Sequence, residues 1–216
     1  MLQPEFQIPP LFGYAAVFLW ALSGAIVGMH KRYDLAGVFV IALLAATGGS
    51  TLRDGLFLQT MPPVLTDAWY IILTLLATVA VGFFRDRIAR MTLVDRVINV
   101  IDAIGVPAFA VIGMQLSLAA DVPLPGVVLI GMVNGFGGGI LRDLMVGDTP
   151  VALKPGRFYV SAAFLVCTLF VTLVAVLGVS NRAAAWSVIL LFVLIRVLSL
   201  RYDWRTQPVL PPDGPQ

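Results

Sequence analysis

Seven stretches of this chain are apolar and almost free of charge, and each is bounded by charged residues, prolines or glycines. About 20 such residues in helical form cross the hydrocarbon core of a bilayer. The pattern predicts helices over residues 11–29, 35–52, 67–84, 98–119, 124–145, 157–178 and 183–200. The last ten residues, from Gln207, hold four prolines and read as a disordered tail within 206–216.

Composition agrees with the pattern. Of the 216 residues 59% are hydrophobic and 12% charged, where a soluble domain carries about 25% charge. The mean hydropathy is +0.95. The fold class is therefore an all-α membrane protein of seven transmembrane helices, with lipid as the main solvent. The N-terminus, Met1-Leu2-Gln3-Pro4-Glu5, has no basic region ahead of its apolar stretch, so the first helix is expected to be retained. Lys and Arg favour the cytoplasmic side. With the N-terminus outside, the inside segments carry Lys31 and Arg32, then Arg85, Arg87, Arg90 and Arg96, then Arg142, Lys154 and Arg157, then Arg196, Arg201 and Arg205. Only Arg53 and Arg182 stay outside, so the expected topology is N-out and C-in.

The chain also repeats itself. Shifted by 89 residues, Leu35, Gly37, Val38 and Ile41 fall on Leu124, Gly126, Val127 and Ile130. Gly48 and Gly49 fall on Gly137 and Gly138, and Leu52-Arg53-Asp54 falls on Leu141-Arg142-Asp143. The Gly-Gly and Arg-Asp pairs do not come from hydrophobic bias. The expected organisation is one three-helix unit in 1–89, a second in 90–178, and a seventh helix in 179–205. An odd number of spans per unit puts the second copy into the membrane upside down, the inverted-repeat plan of many transporters.

Each copy centres on a glycine cluster followed by a charged pair. Glycine costs about 1 kcal/mol against alanine inside a helix, so Gly48-Gly49 and Gly137-Gly138-Gly139 are places where a helix can kink or unwind. Freed carbonyls cannot face lipid, but beside water they can coordinate a cation in passing, together with Ser50 and Thr51. The plainer reading is close helix packing through small residues. The symmetric placement of two clusters favours broken second and fifth helices lining a pathway. The pairs Arg53-Asp54 and Arg142-Asp143 either snorkel to the interface or pair across the repeats near the midplane. Asp102, near the start of the fourth helix, is either an interfacial first-turn residue or a pore-mouth carboxylate that attracts cations. Its counterpart in the first copy is Gly13, so the symmetry fails there.

Other chemistry is sparse. Cys167 is the lone cysteine and reads as a small buried hydrophobe. His30 reads as an interfacial loop residue. No triad or metal set emerges, so no enzyme activity, cofactor or structural metal is expected, and the few scattered basic residues suggest no nucleic acid.

The duplicated Gly-Gly-x-x-Leu-Arg-Asp signature, with Trp20-Ala21-Leu22-Ser23-Gly24 and Asp102-Ala103-Ile104-Gly105, resembles the prokaryotic trimeric intracellular cation channels, whose bacterial relatives are also labelled glycine transporters. The resemblance spans about residues 11–200. It implies a homotrimer in the bacterial plasma membrane, in contact with lipid, with one pore per subunit between the repeats. It also implies conduction of monovalent cations, chiefly potassium. Carried over by position, the kink residues are Gly48, Gly49, Gly137, Gly138 and Gly139, and the charged pairs are Arg53-Asp54 and Arg142-Asp143. Ser50 in place of a third glycine suggests a milder break in the first copy. The alternative is a secondary transporter of a small amino acid such as glycine, since inverted repeats also serve alternating access.

Overall fold

In the computed structural model the described residues are 10–88, 94–154, 159–202 and 204. Helix α1 runs over Pro10–His30, α2 over Leu35–Leu52, and a π-helical segment continues α2 over Arg53–Leu58. A short α3 (Pro63–Thr66) leads into α4 (Ala68–Phe83), and a short α5 (Arg85–Ile88) follows it. Then come α6 (Val94–Ala119), α7 (Leu124–Met145), α8 (Val160–Val171) with a π-helical extension over Thr172–Val176, and α9 (Asn181–Arg201). The tail at 206–216, together with Arg90, Arg157 and Arg205, lies outside the described residues.

The helix starts have visible local causes. The Asp34 carboxylate accepts from the Gly37 amide at 2.8 Å and caps α2. Asp67 accepts from the Trp69 amide at 2.9 Å and caps α4. Pro123, in extended conformation, precedes α7. Gly147 and Gly178, both at positive φ, follow α7 and the α8 extension, where a side chain would be strained.

Among the described residues five spans are long and apolar enough to cross a membrane: Gly13–His30, Leu35–Leu58, Val100–Ala119, Leu124–Met145 and Asn181–Ser199. Ala68–Phe83 and Val160–Val176 are apolar but shorter. Their surface is inverted relative to a soluble protein. On α4, Trp69, Leu76, Val79 and Phe83 are exposed, while Thr74 and Thr78 are buried and donate to the carbonyls of Tyr70 and Thr74. A large apolar face outside and satisfied hydroxyls inside is the arrangement that lipid demands. The protein is an integral membrane protein.

Packing falls into two groups. Helix α1 lies against α2 and α4, and α6 lies against α7 and α8. Helix α9 covers α6 and α8, and α2 crosses α7 where the groups meet. Tyr14 donates to Asp67 at 2.6 Å, which ties the start of α1 to the start of α4. Lys31 meets Asp148 at 2.6 Å, which sets the end of α1 beside the end of α7.

One expectation changes here. Helix α6 begins at Val94, one turn earlier than the pattern of charges indicated, so Asp102 lies in its third turn rather than its first. Arg196, which falls within the predicted helix 183–200, is buried inside α9.

Candidate functional site

The glycine clusters meet each other. Gly48 and Gly49 on α2 face Gly137 and Gly138 on α7. A methyl group on Gly137 would come within 3.0 Å of the Gly49 Cα, and one on Gly48 within 3.2 Å of the Gly138 Cα. A methyl on Gly49 would strike the Asn134 carbonyl, and one on Gly138 the Ala45 carbonyl. Only glycine lets the two backbones approach this closely.

Both helices run through their clusters in unbroken α-helical form. The expected break is therefore absent, and the plainer packing reading accounts for the four glycines. The departure from α geometry comes one turn later and in the first copy only, as the π-helical segment that begins at Arg53. The second copy keeps α geometry through Arg142 and Asp143 to Met145. Gly139 stands apart: nothing lies within 4 Å of the position its Cβ would occupy.

Each arginine pairs with its own neighbour. Arg53 Nε donates to Asp54 Oδ1 at 2.6 Å, and its Nη2 to Oδ2 at 2.5 Å. Arg142 Nε donates to Asp143 Oδ1 at 2.8 Å, and its Nη2 reaches the same oxygen at 2.7 Å. The cross-repeat ion pairs do not form, nor do the groups snorkel, for all four residues are buried. What crosses between the copies is the third nitrogen of each guanidinium. Arg53 Nη1 reaches Asn134 Oδ1 on α7 at 3.3 Å, and Arg142 Nη1 reaches Ser23 Oγ on α1 at 2.6 Å. Asn134 also donates to the Phe109 carbonyl at 2.5 Å, and Asp143 Oδ2 accepts from the Val151 amide at 2.9 Å. These charges are desolvated but matched, which is the condition for tolerating them inside a membrane.

Beside the crossing lies a small, partly open cavity. Asp102, Ser50, Gly139, Arg142 and Asp143 line it, together with Asn134 and the rings of Trp20, Phe109, Phe136 and Tyr159. Ser50 and Gly139 are counterparts in the two copies, so both repeats contribute to one wall. The Trp20 ring packs against Gly105, where a methyl group would be 2.8 Å from the ring. Arg196 sits over the Tyr159 ring, 4.5 Å from its centroid.

The structure thus brings Asp102, Ser50, Gly139, Arg142 and Asp143 together. Gly49 and Gly138 touch the cavity from the crossing. Gly48 and Gly137 are pressed between the helices, and Arg53 and Asp54 lie outside the cavity lining. Thr51 is exposed on the outer surface of α2 and does not line it. Asn134 and Arg196 were not singled out from sequence. Each is a strongly polar residue in an apolar helical window, and that signal was available.

Comparison with known proteins places these features. The model of a family described as glycine transporter matches residues 11–86 and 99–175. The UPF0126 membrane protein of Deinococcus radiodurans is 37% identical over 148 residues, covering 68% of this chain and 67% of that one. The UPF0126 membrane protein YvgT of Bacillus subtilis is 29% identical over 195 residues, 90% of this chain and 93% of that one. Among solved structures, a TRIC cation channel matches with a TM-score of 0.81 at 27% identity, covering 97% of this chain and 99% of that one. The TRIC trimeric intracellular cation channel orthologue from Rhodobacter sphaeroides matches with a TM-score of 0.80 at 27% identity, covering 90% and 98%.

Proposed function

The chain belongs to the prokaryotic trimeric intracellular cation channel family, whose bacterial relatives are also described as glycine transporters, and on that premise we propose that it conducts monovalent cations, chiefly potassium, through one pore in each subunit of a homotrimer. The observation that carries this reading is the charged cavity at the α2–α7 crossing, in a fold similar to solved cation channels. Two carboxylates, Asp102 and Asp143, and one guanidinium, Arg142, line it, and a second guanidinium, Arg196, lies behind the lining on the Tyr159 ring.

The full plan is seven spans in two inverted three-helix units, 1–89 and 90–178, with α9 as the seventh span. The two matched segments of the family, 11–86 and 99–175, support the duplication, since one falls on each unit. Helices α4 and α8 with their extensions complete the count, although they are shorter than the other five. The N-terminus is outside and the C-terminus inside, in a bacterial plasma membrane, as the distribution of Lys and Arg indicates.

The α2–α7 crossing has no room even for a methyl group at Gly49 or Gly138, so an ion cannot pass between the clusters. The pathway instead skirts the crossing along the wall of Ser50 and Gly139, and conduction requires the two helices to shift. The decisive test is potassium-selective flux in proteoliposomes. Ohmic flux that excludes chloride supports the channel; saturable uptake of labelled glycine with no such flux supports the transporter, the second reading that the family description favours.

A further inference from the structure

We infer that Asn134 is a positioning residue for gating: its side chain clasps α2 to α7 across the glycine crossing, and conduction requires that clasp to release. The inference rests on the reading of the chain as a channel, and it names the group that holds the crossing shut.

Asn134 is an amide in the middle of an apolar helix, and its side chain is used at both ends. Its Oδ1 accepts from Arg53 Nη1 at 3.3 Å, and its Nδ2 donates to the Phe109 carbonyl at 2.5 Å. A guanidinium only donates and a carbonyl only accepts, so the amide has one orientation that serves both. Arg53 is itself fixed, because Asp54, the next residue, holds its Nε and Nη2. Nη1 is the nitrogen left to reach α7. Among the described residues this is the one side-chain hydrogen bond between α2, with its π-helical continuation, and α7. Asn134 is 1% exposed, so water does not replace either bond while the helices stay packed. The same residue marks a close approach of the two backbones, since its carbonyl is what a methyl group on Gly49 would strike.

The clasp ends on the cavity wall. Arg53 lies outside the lining, whereas Asn134 and Phe109 both belong to it. The Phe109 ring forms a tilted pair with Trp20, their centroids 4.5 Å apart. Pro107, two residues before Phe109, has no N–H for the carbonyl one turn back. Helix α6 therefore lacks one internal bond close to where Asn134 holds it from the side. A slide of α2 along α7 parts Arg53 from Asn134 and loosens the amide that fixes the Phe109 backbone. The second copy repeats neither half of this arrangement. Arg142 Nη1 turns instead to Ser23 on α1, and the counterpart of Asn134 in the first copy is Ala45.

Single-channel recording of the full chain in planar bilayers tests this with two variants that break the clasp from opposite sides. Asn134→Leu removes both bonds and keeps a side chain of the same branched shape. Arg53→Lys keeps a cation beside Asp54 but loses the fork that reaches Asn134, and it leaves the cavity lining unchanged. Each should raise the ratio of open to closed time about threefold to tenfold, the worth of one hydrogen bond. Arg53→Lys should leave the unitary current as in wild type, and the double variant should open as Asn134→Leu does, because the two changes remove one shared contact. An open-to-closed ratio in Arg53→Lys that equals or falls below that of wild type overturns the proposal, as do effects that add in full in the double variant. If Asn134→Leu does not elute as wild type does, Arg53→Lys carries the test alone. A wild type that conducts while Arg53→Lys gates like it overturns the clasp and leaves the channel reading standing; a wild type without current overturns both.

Discussion

Consider an alanine placed at Gly138 and, separately, at its neighbour Gly139. Both lie in α7, so both gain the same helix propensity, about 1 kcal/mol relative to glycine. That gain cancels in the comparison. At Gly138 the new methyl group meets the Ala45 carbonyl of α2, a backbone atom that no rotamer change can move, with the carbonyl carbon at 3.1 Å. At Gly139 it meets nothing within 4 Å. Overpacking a tight contact costs about 1–3 kcal/mol, and that range is the predicted difference between the two variants. Thermal unfolding in detergent, followed by size-exclusion chromatography of the heated protein, should place Gly138→Ala lower by on the order of 5 °C. Gly139→Ala should match or exceed wild type. Equal stability of the two variants would refute the close-packed crossing and return the clusters to the role of broken helix.

The charged groups give further predictions. Asp54→Ala strands Arg53 in a buried position and should destabilise the chain by about 3–5 kcal/mol, whereas replacing both residues by apolar ones of similar volume should recover most of the loss; thermal unfolding of the single and double variants checks this. Ser23→Ala removes one of three donor contacts of Arg142 while leaving the Asp143 pair intact, and should lower stability by about 1.5–3 kcal/mol, with ion flux measured alongside to show whether the α1–α7 link holds the helices in place. Lys31→Ala breaks an ion pair that is half exposed, so its effect should stay under about 1 kcal/mol in the same assay.

Much of the architecture was legible because helices in lipid are marked by what ends them. Residues 35–52 and 124–145 were predicted as helices, and the structure has Leu35–Leu52 and Leu124–Met145. Asp34 and Pro123 stand at their starts, and local chemistry of that kind does not depend on tertiary contacts. The meaning of the glycines was not legible in the same way. A Gly-Gly pair weakens a helix and also permits close approach, and the partner backbone across the crossing decides between the two. The charged pairs posed a similar problem. Arg53 and Arg142 are long enough to fold back onto an adjacent carboxylate, and spacing alone does not say whether they do. Asp102 was recognised as a candidate, but its aromatic surroundings come from α1, α6 and α7 together and from Tyr159 just ahead of α8. Arg196 lies near the end of its apolar window, and its burial against Tyr159 depends on a partner from a distant part of the chain.

The central claim is conduction of cations, and recording from planar bilayers under a potassium chloride gradient tests it most directly. The account predicts unitary currents that reverse close to the potassium equilibrium potential. Reversal at the chloride potential, or bilayers that stay silent while the same preparation takes up glycine saturably, would contradict it.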